Sequence, residues 1–174
     1  MIKLLKALTF KYKTCNKGIA SIEFAVWSTF LLIPFIIGLE FGLFSLSNSK
    51  LTKATNAGAL TAFDTRNQIN ATHIEAIVKS TYNDEDITVK IACNGEQNSC
   101  VNTNRSCSCI EADNSEDADE SFLFELSNCS SVCPSGAAPG YYLTIDATVK
   151  SPMRLSTSLG APNTVRSVVT VKLD

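Results

Sequence analysis

Six cysteines, Cys93, Cys100, Cys107, Cys109, Cys129 and Cys133, lie close together in a chain of 174 residues, and two glutamates, Glu23 and Glu40, stand inside an otherwise apolar run. These are the residues whose type and spacing bear chemistry. A cluster of thiols either pairs into disulfides or holds a metal ion. Zinc sites draw on repeated C-x-x-C steps or on histidines, whereas this cluster has no repeated C-x-x-C and the only histidine, His73, is remote from it. Six is an even number, and disulfides persist outside the cytoplasm, so three bridges are expected with no metal and no cofactor. Their connectivity stays open at this level, except that Cys107 and Cys109, one residue apart, are not expected to join each other. The seventh cysteine, Cys15, lies in a basic N-terminal stretch.

Catalytic patterns are missing from the sequence. There is no G-x-S-x-G and no second histidine with which a serine could form a triad, and neither a P-loop nor a dinucleotide fingerprint occurs. His73 falls on a short amphipathic helix, where a surface or capping role is the expected one. The run "EADNSEDADE", Glu111 to Glu120, is rich in oxygen donors but lacks the glycine and the acidic spacing of an EF-hand loop, so it reads as a solvated acidic face rather than a calcium site. The chain is not expected to be an enzyme.

The elements that carry these residues begin with the largely apolar run from Ile19 to Leu46, in which only Glu23 and Glu40 are charged. On a helix rising about 1.5 Å per residue the two carboxylates lie roughly 25 Å apart along the axis, near the two edges of a hydrocarbon core about 30 Å thick. They do not share one face, so each needs its own partner. Lys3, Lys6, Lys11, Lys13 and Lys17 precede the run with no acid among them, which keeps the N-terminus cytoplasmic and exports the bulk of the chain. Without those five lysines, ten cationic residues face seventeen acids, a formal charge of −7, which argues against a nucleic-acid partner.

Beyond the span, helical spacing continues through "SNSKLTKATNAGALTAF", with Leu51, Ala54, Gly58, Ala59 and Ala62 forming a stripe of mostly small residues suited to close packing. Pro34 inside the span predicts a kink or local melting. Thr72 and Glu75, at capping-box spacing, predict a short helix with an apolar stripe of Ile74, Ile77, Val78 and Tyr82. "DITVKIAC", "YYLTIDATVKS" and "VRSVVTVKLD" alternate as half-buried strands do, and "SFLFELS" suits a strand or a helical turn. The organisation is therefore residues 1–18 as a leader, 19–47 as a transmembrane helix, 48–64 as its amphipathic extension, and 65–174 as an exported, disulfide-rich α+β domain with an antiparallel sheet.

The apolar run is too long for a cleaved secretory signal, and a plain anchor has no use for an acid just inside its edge. "Lys17-Gly18-Ile19-Ala20-Ser21-Ile22-Glu23-Phe24" resembles a class III prepilin junction: basic leader, glycine, then glutamate at the fifth mature position and an aromatic at the sixth. The continuation "AVWSTFLLIPFIIGLEFGLFSLS" is similar to the TadE-like pseudopilins of tight-adherence (type IVb) pilus systems. The resemblance covers residues 17 to about 63. It implies cleavage after Gly18 by a prepilin peptidase, Ile19 as the new N-terminus, and a minor pilin that assembles with other pilins and the assembly platform. It further implies a single-pass protein of the bacterial inner membrane, in contact with lipid, its C-terminal domain periplasmic or carried into a pilus.

Charge chemistry gives Glu23 a role in such a chain. Cleavage creates an ammonium at Ile19, within reach of the Glu23 of a staggered neighbour, and in a low-dielectric bundle that pairing offsets the burial of both groups and fixes axial register. The competing expectation is an unprocessed single-pass envelope protein whose exported domain binds a ligand or surface.

Overall fold

A computed structural model describes residues 19–83, 86–97, 99–112, 122–153 and 162–173. The expected leader, with Cys15 and Gly18, and residues 113–120 of the acidic run lie outside the described residues. The described elements are α+β, and the chain divides into two compact units, Met1–Gly42 and Leu43–Asp174.

The first unit holds the beginning of α1, Ile19–Asp64, a helix of 46 residues. Helix persists through Pro34, without the expected melting. Proline removes a single backbone bond there, and the apolar residues on both sides gain nothing by exposing their own backbone groups. By length and composition this helix is able to cross a membrane. No residue from Ser21 to Lys50 is buried within the chain.

The second unit takes in the rest of α1, then α2 (Ala71–Tyr82), β1 (Thr88–Cys93), β2 (Glu96–Gln97), β3 (Cys107–Ala112), β4 (Phe122–Ser127), β5 (Tyr142–Lys150) and β6 (Thr164–Lys172). Four strands form an antiparallel sheet in the order β2-β1-β5-β6, and β3 pairs with β4 as a separate two-stranded sheet. Ile91 pairs with Ile145 and Ile145 with Val169, so the alternating apolar residues of three strands stand on one face. Leu143, Ile145, Ala147 and Val149 of β5 are buried there with Leu51, Ala54, Ala59 and Ala62 of α1 and Ile74 and Val78 of α2. The predicted stripe of small residues is thus the surface α1 turns to the core.

Helix α2 begins earlier than the capping-box spacing suggests. Asn70 is the N-cap, its side-chain oxygen accepting the His73 N–H at 3.1 Å, and Thr72 lies within the first turn. Asparagine is among the strongest N-cap residues. Glu75 pairs with Lys79, N to O 2.6 Å, at the i,i+4 spacing that favours such a pair.

Candidate functional site

Two regions carry the features singled out in the sequence: the unburied part of α1 and the cysteine-rich excursion between β1 and β5. Ile19 opens α1, Glu23 follows one turn later, and residues four apart on a helix sit on the same face. Glu23 and Phe24 are exposed, Phe24 to 76%, and Glu40 is partly covered. Trp27, Phe30, Phe35 and Phe41 are exposed as well, which gives the first unit a continuous apolar surface. A surface of that size does not remain in water.

In the excursion the six thiols form three disulfides, Cys93–Cys100, Cys107–Cys129 and Cys109–Cys133, with Cα separations of 5.1, 5.1 and 5.6 Å. Cys107 and Cys109 take separate partners, as expected. The last two bridges tie β3 to the segment after β4. Cys93–Cys100 does something different: it anchors a loop to the end of β1, with Cys93 inside the core and Cys100 packed against it.

The segment that follows Cys100 reaches two other parts of the chain, the link between α1 and α2 and Tyr141 just before β5. Asn102 holds both backbone groups of Ile69 in the link between α1 and α2, its Oδ1 accepting the Ile69 N–H at 2.6 Å and its amide donating to the Ile69 carbonyl at 3.4 Å. Arg105 donates to the Arg66 carbonyl in the same link and to the Val101 carbonyl, and its guanidinium lies 5.0 Å from the centre of the Tyr141 ring. The Tyr141 hydroxyl in turn accepts the Val101 N–H at 2.9 Å. Helix α1 has no basic residue in its last turn, and Arg105 brings a cation close to that end from elsewhere in the chain.

A second anchor is Asn94, at φ 50°, followed by Gly95 at φ 84°. These left-handed conformations make the tight turn from β1 to β2. The Asn94 side chain donates to the Ser106 carbonyl at 2.8 Å and accepts the Tyr142 N–H at 2.9 Å, and a Cβ on Gly95 would lie 2.9 Å from Phe124. Around this turn Val101, Leu123 and Leu126 line a groove of about 670 Å³. Sequence reasoning missed β2, this turn and the Asn102–Arg105 loop. The Asn94-Gly95 dipeptide is a hairpin signal that could have found the turn; an asparagine and an arginine in a loop announce no partner in advance.

No protein-family model, curated protein or solved structure matches this chain. What the architecture itself defines is a class: a long N-terminal apolar helix followed along the chain by a disulfide-bonded antiparallel β domain, an order of elements that is pilin-like in general terms only. The helix has the character of a membrane span or a signal, and three disulfides indicate an extracytoplasmic domain.

Proposed function

We propose that the chain is a minor pilin or pseudopilin of the TadE-like kind, a non-enzymatic subunit acting in assembly of a tight-adherence pilus. The observation that carries this reading is α1, whose first unit leaves a broad apolar surface unburied while its later turns form the core of the disulfide-bonded domain. A subunit that must be held in a membrane and then pack against other subunits through the same helix needs such a division. The Gly18-to-Glu23 spacing adds a cleavage point and an acid for the amine it releases. On this reading the partners are a prepilin peptidase, other pilins or pseudopilins, the assembly platform and lipid.

N-terminal sequencing of the membrane-extracted protein from a strain with active prepilin peptidase is expected to begin at Ile19. A start at Met1, or near Asn48, would refute the reading. The exposed groove lined by Val101, Leu123 and Leu126, with Leu126 78% exposed, supports a second reading, an unprocessed envelope protein that binds a ligand or surface. The same sequencing separates the two, because only the first requires the cut.

A further inference from the structure

We propose that Cys93–Cys100 is a redox latch that docks the α1–α2 link onto the sheet, and that the other two disulfides take no part in that docking. The inference rests on contacts within the second unit and is independent of the pilin reading.

Three residues just beyond the Cys93–Cys100 bridge carry the contacts to the link and to Tyr141. Asn102 satisfies both backbone groups of Ile69, Arg105 donates to the Arg66 carbonyl, and Val101 donates to the Tyr141 hydroxyl. All three residues follow Cys100 by no more than five positions, so the bridge to the end of β1 sets where they begin. With the bridge open, the segment after Cys100 has to find Ile69 and Tyr141 at the cost of the chain entropy that the bridge otherwise removes. Ile69 is buried at 7% exposure, so its backbone groups cannot turn to bulk water without undocking the link. Cys107–Cys129 and Cys109–Cys133 close the β3–β4 region, and none of the residues they join touches the link by a hydrogen bond among those described.

Closure balances as thiol–disulfide exchange with an external disulfide, the kind carried by a thiol oxidoreductase. Cys100, half-buried, is the accessible thiolate, whereas Cys93 is 2% exposed. Its attack on the external disulfide forms a mixed disulfide and displaces one external thiolate. Cys93 then attacks the Cys100 sulfur and displaces the second. Two electrons pass to the external disulfide, and the two thiol protons end on its released sulfurs. In a reducing compartment the link stays loose; after export it locks.

The test is amide hydrogen exchange on the full-length chain in detergent micelles, reading Ile69 and Val101 against Leu143 and Ile145 of β5. In Cys93→Ala/Cys100→Ala, exchange at Ile69 and Val101 is expected to accelerate about ten-fold or more while β5 stays protected. Asn102→Ala, with all three bridges intact, is expected to release Ile69 alone, which separates docking from any loss of core packing at Cys93. Cys107→Ala/Cys129→Ala is expected to leave Ile69 protected. The latch is overturned if Ile69 keeps its protection in the first variant, if β5 loses protection along with it, if Asn102→Ala leaves Ile69 unchanged, or if the third variant releases Ile69 as well.

Discussion

At position 58 three elements meet with no room for a side chain. A Cβ there would lie 2.6 Å from Val78 Cγ2 on α2, 3.0 Å from Ile145 Cδ1 on β5 and 3.4 Å from Ile74 Cγ2. Alanine is favoured over glycine in a helix by about 1 kcal/mol, but overpacking costs about 1–3 kcal/mol, and β-branched Val78 has little freedom to move aside. Gly58→Ala is therefore expected to destabilise the second unit by about 1 kcal/mol in urea unfolding. Gly38→Ala, where nothing lies within 4 Å, should leave that unfolding midpoint in place. A second contact at this scale is polar. Thr55 and Ser167, both buried, meet hydroxyl to hydroxyl at 3.0 Å between α1 and β6. Thr55→Val strands the Ser167 hydroxyl at a cost of about 1–3 kcal/mol, whereas the double variant with Ser167→Ala is expected to recover part of that loss. Additive losses in the cycle would show that the pair contributes nothing jointly.

At the scale of elements the cysteine excursion is the least self-sufficient part of the chain. A two-stranded sheet is marginal in water, and β4 exposes Leu123 and Leu126, so β3 and β4 depend on their two covalent ties and on the Ser108–Gly140 bridge to the neighbouring segment. Peptide mapping without reduction is expected to recover 93–100, 107–129 and 109–133 as the linked pairs, with no free thiol among the six. Opening Cys107–Cys129 should cost about 2–5 kcal/mol of local stability. Much of the element pattern was legible beforehand, because β1 and β5 alternate over six and nine residues, β6 alternates over its first four, and one face is buried. The "SFLFELS" run resisted assignment since Phe122, Leu123 and Phe124 are consecutive apolar residues and no position from Phe122 to Ser127 is buried, and periodicity cannot separate strand from turn over so few residues. Disulfide pairing was not legible, because it follows from which strands adjoin in space. The start of α2 was misplaced by favouring a two-residue capping box over a single strong cap at Asn70.

For the whole molecule the deciding residue is Glu23, and the prediction belongs to the pilin reading. If its carboxylate meets the Ile19 ammonium of a neighbouring subunit, Glu23→Gln leaves a buried positive charge alone, a defect of about 3–5 kcal/mol per contact. Leader removal is expected to proceed while co-purification with pilus partners is lost; Glu40→Gln, at the other end of the apolar run, is expected to co-purify as the parent does. A plain anchor predicts that Glu23→Gln inserts and functions as the parent does, since removing a charge from the span only eases insertion. Normal co-purification of Glu23→Gln would sink the pairing. That α1 is long and apolar enough to cross a membrane was readable from composition, but whether any subunit stands beside it was not, because residues that would face a neighbour and those that would face lipid are apolar alike.

The pairing of β1 with β5 sets a timetable for the nascent chain. Cys93 and Leu143 are register partners, yet everything between them has to be synthesised before they can meet. At about 5–20 residues per second, β1 waits several seconds with its long edge unpaired while the cysteine-rich stretch emerges, and oxidation within that stretch competes with sheet closure. A bridge formed early between the wrong thiols would hold the strands apart after β5 arrives. Yield of this protein should accordingly follow the supply of disulfide isomerase activity more closely than the supply of oxidant.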